Sequence, residues 1–282
     1  MGVLAYPQDK KAEREAERAR QKEIDDQIKE LSKKLQGDGS DRRSAISSLA
    51  SIKSAKVIPL IGKYLTTDED TTRIAAAEAL ATIDHPDAAT ALVQAVGPNL
   101  KSATALRALI AAMAKIDWEL CADGLHQILR KASDPNIGAV AKEAIEACAK
   151  IGSPASVDEL IKIVDLADLN GAGGGLPGGA IRGPNGQVVP GSSTGGNRQL
   201  TQLRAPAIKA LSDMTGQNFP TTKDVKDYWS KNKSRMAYAA VQVMWCEKDW
   251  KRWDKSQADT KAKCPYSEKT CSSDRPCKRR MR

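Results

Sequence analysis

Apolar residues recur along this chain in columns. Ile52, Ile83, Ile116 and Ile151 each close a short apolar run, and the steps between them are 31, 33 and 35 residues. Three residues before each stand Leu49, Leu80, Met113 and Cys148. Six after come Ile58, Ala89, Ala122 and Val157, nine after come Ile61, Leu92, Leu125 and Leu160, and thirteen after come Leu65, Val96, Leu129 and Val164. Within a repeat these positions are spaced as one face of a helix, then one face of a second helix. Self-similarity at this period is the signature of stacked helical repeats, in which each pair buries its apolar face only against its neighbours. The pattern predicts an all-α chain, an α-solenoid of about five helix pairs.

Departures from the columns divide the chain. Residues 1–39 read as a charged helical arm, with Ile24, Ile28, Leu31 and Leu35 stepping by 4, 3 and 4. That seam is too short for a sustained coiled coil and is expected to dock on the first repeat. Residues 40–169 hold four repeats. Ser40-Asp41 is read as the first cap, and Pro86 and Pro154 take matching places at the start of second helices. Gly97-Pro98-Asn99 and Asp134-Pro135-Asn136 are read as boundaries between pairs. Residues 170–200 form a Gly/Pro-rich loop within which "AIRGPNGQVVPG" suits a small hairpin about Asn185-Gly186. Its Gly173-Gly174-Gly175 lacks the spacing and the lysine of a phosphate loop. Residues 201–232 return to the pattern as a closing repeat, in which Phe219, Tyr228 and Trp229 are expected to plug the end of the core. Residues 233–282 form a basic tail with Trp and Cys.

Helix pairs of this length, an Ala-rich first helix ending "AEALATID" or "EAIEACAKIG", and a proline opening the second helix resemble HEAT repeats of the bacterial type also named for phycobilisome lyases. "MTGQNFPTTKDVKDYWSKNK" is similar to the closing repeat of such proteins, with Met214 in place of their Leu and Trp229 alone of their tryptophan pair. The resemblance implies a scaffold that binds other proteins, with the second helices lining its concave surface.

Composition fits a thin layered core. The chain of 282 residues has a single phenylalanine, Phe219, and its apolar residues are chiefly small or aliphatic. The net charge of +9 is unevenly placed: residues 231–282 hold 15 Lys and Arg against six Asp and Glu, whereas 41–169 hold 14 against 17. The basic balance therefore describes the tail rather than the repeats. No run approaches the roughly 18 apolar residues of a membrane span. The first residues lack a signal-peptide apolar region, so a cytoplasmic location is the default expectation. A cell-envelope or exported location would follow if the tail cysteines form disulfides.

Candidate chemistry is sparse. Cys246, Cys264, Cys271 and Cys277 have no C-x-x-C spacing, so they suit disulfides or free thiols better than a zinc site. Cys121 and Cys148 fall within repeat helices as apolar core. His85 and His126 stand in different repeats without a visible nucleophile or carboxylate partner. No catalytic set, metal site or cofactor is expected, and the chain is read as not an enzyme. Trp245, Trp250, Lys251, Arg252 and Trp253 form a tail patch suited to nucleic-acid phosphate or another anionic surface. On the second helices, Lys63, Gln94, Gln127 and Lys162 recur eleven residues after each isoleucine, and Thr90, Asp123 and Asp158 seven after. These columns are the expected partner-facing strip. The expected function is a non-enzymatic scaffold for another protein. The alternatives are an adaptor gripping an anionic surface through its tail, and a lyase or DNA-repair enzyme on the same scaffold. DNA repair would want a basic concave face, which the acidic excess of residues 41–169 disfavours.

Overall fold

The structure, a computed structural model, describes residues 7–67, 69–172, 180–182, 188–190 and 198–233. Its helices are α1 (Pro7–Lys34), α2 (Gly39–Ser51), α3 (Ile58–Gly62), α4 (Asp70–Leu80), α5 (Pro86–Asn99), α6 (Ala103–Ile116) and α7 (Cys121–Leu129). They continue with α8 (Pro135–Ile151), α9 (Pro154–Ala172) and α10 (Arg198–Thr215), and end with α11 over 222–233. Short 3-10 turns, Ala55–Val57 and Lys63–Thr66, flank α3. The described residues fall into two compact units that part between Gly124 and Leu125, within α7. The architecture is all-α, built of adjacent helix pairs of the solenoid class.

The apolar columns are the core. Leu49, Leu80, Met113 and Cys148 are completely buried, as are Ile61, Leu92, Leu125 and Leu160. Ile83, Ile116 and Ile151 are buried, whereas Ile52 is half-buried. The residue following three of these isoleucines reverses the chain in the left-handed region: Lys53, Asp117 and Gly152 have φ of 53°, 55° and 63°. Glycine adopts that conformation without a Cβ penalty, which Lys53 and Asp117 must bear.

Polar contacts tie successive pairs in register. Arg43 donates to Glu69 over 2.7 Å, and Arg73 to Asn99 over 2.8 Å, each across 26 residues. Asn99 in turn donates to the carbonyls of Leu65 and Ala95. The cap of α2 is Asp38, whose carboxylate accepts from the amides of Ser40 and Asp41, so the expected cap lies two residues too late. Pro98 does not end α5 where the sequence suggests. It occupies the last turn, where the carbonyl that loses its partner belongs to exposed Gln94.

The arm docks through its second half. Leu35 is buried, and Ile24, Ile28 and Leu31 are half-buried. Lys56 pairs with Asp25 at 2.7 Å, and Tyr64 donates its hydroxyl to the Leu35 carbonyl. Residues 14–23 of α1 are exposed on every side.

Second helices run parallel to one another within each unit. In the first, Gly62 lies against Ala91 and Leu65 against Asn99. In the second, His126 meets Ser156 and Arg130 meets Glu159. The closing helix breaks this rule. Thr222 bonds Asp168, Lys226 pairs with Asp165, and Trp229 and Lys233 both reach Asp158, so α11 runs antiparallel to α9. Phe219, Val225 and Trp229 are buried there, and Phe219 stacks edge-on to Tyr228 with centroids 5.5 Å apart, as a plug should. Between α9 and α10, strands β1 (Ala180–Arg182) and β2 (Val188–Pro190) pair antiparallel, Ile181 opposite Val189, as the arms of the expected hairpin, while Asn185-Gly186 lies outside the described residues.

Candidate functional site

Helix α5 is opened by Pro86 and buries Ala88, Ala89, Leu92, Ala95 and Val96. That stripe turns Gln94 outward and leaves Thr90 half-buried, its hydroxyl donating to the Pro86 carbonyl over 3.0 Å. On α7 the buried stripe is Cys121, Ala122, Leu125, Ile128 and Leu129, which leaves Asp123 and Gln127 exposed. Lys63 is exposed in the 3-10 turn after α3, and Lys162 is exposed on α9. In the first unit the Gly62–Ala91 contact sets Lys63 and Gln94 on neighbouring parallel segments. In the second unit the contacts of His126 with Ser156 and of Arg130 with Glu159 bracket Gln127 on one helix and lie one turn before Lys162 on the next.

Asp158 is occupied by the closing helix of this chain. Trp229 Nε1 donates to its Oδ1 over 2.7 Å, and Lys233 Nζ lies 3.0 Å from its Oδ2. Trp245, Trp250, Lys251, Arg252 and Trp253 lie outside the described residues, as do Cys246, Cys264, Cys271 and Cys277.

Beneath the strip of the second unit lies a polar cluster that reading by helix spacing misses, since its members come from three helices. His126 Nε2 and Ser156 Oγ share a hydrogen bond of 2.8 Å, and both residues are buried. The Ser156 hydroxyl also bonds the Cys148 thiol. Burial pushes that thiol up to about 12, with the Glu159 charge adding to the shift and the Ser156 bond opposing it. Cys121 is likewise pushed up to about 12, by burial and by Asp117, against a backbone bond at Trp118. Glu159 is almost wholly buried yet charged. Burial alone would raise its carboxyl, but bonds and charges from Arg130 at 2.7 Å and Lys162 at 3.1 Å outweigh it and hold it below the usual carboxylate range. Asp168 is held low by its bond from Thr222 and by Arg204.

Two further exposed residues on α9 complete this face: Leu166 and Leu169 are 41% and 73% exposed. Their signal is present in the sequence, because both fall off the buried stripe of Val157, Leu160, Val164 and Ala167. On the first-helix side, a groove of about 600 Å³ runs between α8 and α10, lined by Lys142, Glu146, Lys150, Pro206, Lys209 and Asp213. Its charges are of mixed sign. Among the described residues, no group of three His, Cys, Asp or Glu side chains is placed to hold a metal ion. No described helix is long and apolar enough to cross a membrane.

Comparison with known families agrees with the pairs. Residues 28–109 match a family model described as HEAT repeats, and residues 140–165 match one described as PBS lyase HEAT-like repeat. The first match begins inside α1, on the half of the arm that docks. No curated protein and no solved structure matches the chain.

Proposed function

We propose, from the premise that this chain is a HEAT-type, PBS-lyase-like repeat protein, that it is a non-enzymatic scaffold holding a partner protein against the exposed faces of its second helices. The observation that carries this reading is the outward turn of Lys63, Gln94, Gln127 and Lys162 from helices whose other faces are packed. Side chains presented from packed helices lose little entropy on binding, which favours recognition over chemistry. The repeat surface suits protein contacts, and its polar, mixed character matches the rim of a non-obligate interface. The Ser156–His126 pair supports no nucleophilic role, because a substrate has no open path to it: Ser156 is 0% and His126 4% exposed.

The test is affinity capture from the cell that makes the protein, using the full chain and a variant carrying Lys63→Glu, Gln94→Glu, Gln127→Glu and Lys162→Glu. Loss of captured proteins in the variant, with retention when residues 234–282 are deleted, is the expected result. Capture that ignores the four substitutions and disappears on deletion, or with salt, would overturn it. That outcome would favour the second reading, an adaptor gripping an anionic surface through its tail. The observation behind that reading is the concentration of 15 Lys and Arg in residues 231–282.

A further inference from the structure

Lys162, Leu166 and Leu169 lie at i, i+4 and i+7 on α9 and so share one row along the helix. Leu169 is 73% exposed and Leu166 41%, against 0–2% for Val157, Leu160, Val164 and Ala167 on the packed side. Burying apolar side chains is favourable in proportion to the area removed from water, so two leucines in adjacent turns that face water leave an apolar contact unmade. Paired exposed leucines on a rigid helix are the anchors of helix-in-groove and helix-on-face recognition.

The charges around the row indicate what covers it. Each carboxylate on α9 already accepts from this chain: Asp158 from Trp229 and Lys233, Glu159 from Arg130 and Lys162, Asp165 from Lys226, and Asp168 from Arg204 and Thr222. Glu159 serves two cations at once, and the side chains of Arg130 and Lys162 remain 59% and 64% exposed. Acceptors on this face are therefore engaged, and one buried carboxylate is shared by two half-exposed cations. A basic segment finds no free counter-charge here.

We infer that the Lys162–Leu166–Leu169 row of α9 is the docking site for an acidic amphipathic segment of a partner protein. Two apolar side chains one turn apart on that segment seat on Leu166 and Leu169, and its carboxylates meet Lys162 and Arg130. The inference rests on the reading of the second helices as the partner-binding face, and it names the partner's chemistry.

The test uses three fluorescein-labelled helical peptides of ~16 residues, a length at which helix formation becomes appreciable. One carries Leu at i and i+4 among Glu, one has Lys in place of Glu, and one has Ser in place of the Leu pair. Anisotropy titrations are run against the full chain, Leu166→Ser/Leu169→Ser and Lys162→Glu, with circular dichroism to confirm that the exposed-site variants keep their helices. The Glu/Leu peptide is expected to bind about tenfold tighter than the other two, and to weaken about tenfold in each variant. Equal binding of the Glu and Lys peptides, binding untouched by Leu166→Ser/Leu169→Ser, or no saturable binding would overturn the inference. Acidic-peptide capture by residues 234–282 falls under the second outcome. If captured partners depend on Lys63, Gln94 and Gln127 but not on Leu166 and Leu169, this inference fails while the scaffold reading stands. If they depend on neither set, both fail.

Discussion

Trp229 donates its indole N–H to the Asp158 carboxylate over 2.7 Å, and this contact sets the sense of the closing helix. With Thr222 bonded to Asp168, it lays α11 antiparallel along α9, whereas α9 runs parallel to α7 in the contacts of His126 with Ser156 and Arg130 with Glu159. The last described helix of the second unit thus lies on α9 with the opposite polarity, with Phe219 and Trp229 buried beside it.

Replacing Trp229 with Phe keeps most of the plug and removes the donor. Hydrogen bonds to charged groups contribute about 1.5–3 kcal/mol, but Asp158 is 40% exposed and retains Lys233. A loss of about 1 kcal/mol is expected. It would be measured as a lower urea midpoint at unchanged slope, and a midpoint equal to wild type would show that the bond is not what holds α11.

Glu159 makes stability depend on pH. Its ion pairs hold the folded carboxyl below the value it has in the unfolded chain, so its contribution is fully present above the unfolded value and is lost as pH falls through the folded one. Thermal melts of the wild type across this acid window should fall more steeply than those of Glu159→Gln. At neutral pH the variant should be the less stable of the two, because Arg130 and Lys162 lose their shared counter-charge.

Ser156→Ala leaves the buried His126 Nε2 and the Cys148 thiol without the hydroxyl between them. An unsatisfied buried polar group costs about 1–3 kcal/mol, and a destabilisation in that range is expected on chemical denaturation. A neutral substitution would mean that the imidazole has found another partner at no cost.

Cys121 and Cys148, both with thiols raised to about 12, present almost no thiolate at neutral pH and no exposed sulfur. Iodoacetamide should alkylate them only after unfolding, as read by peptide mass mapping of native and denatured samples. Labelling of either one in the native state would contradict the burial described.

At Gly124, within α7, an added Cβ would lie 2.8 Å from Met113 Sδ and 3.3 Å from methyls of Val93 and Val96. Alanine gains about 0.8–1 kcal/mol of helix propensity, against overpacking of about 1–3 kcal/mol in a core with Met113 fully buried. Gly124→Ala is therefore expected to destabilise by about 1 kcal/mol in a denaturant titration, whereas propensity alone predicts the opposite sign.

The core was legible because it is local and repeated. Leu49, Leu80, Met113 and Cys148 are read from spacing within one helix, and four copies of the same spacing reinforce one another. The outward columns at Lys63, Gln94, Gln127 and Lys162 follow from the same geometry, since fixing the buried stripe of a helix fixes its opposite face. The His126–Ser156–Cys148 cluster was not legible. Its members come from α7, α9 and α8, and nothing in the local sequence of any one of them marks the other two as neighbours.

The sequence by itself determined the helix pairs, their buried faces, the docking seam of the arm and the pairing of Ala180–Arg182 with Val188–Pro190. Each of these is settled by contacts within a repeat or by backbone preferences at Pro and Gly. Only the tertiary structure decided that Asp158 is occupied by Trp229 and Lys233, that Glu159 joins Arg130 to Lys162, and that α11 reverses. These depend on the direction in which one helix crosses another, and periodicity along a single chain says which side of a helix is buried but not which way its neighbour runs. The exposure of Leu166 and Leu169 joins the two levels: their place off the buried stripe is written in the sequence, while the occupied carboxylates around them are a product of packing.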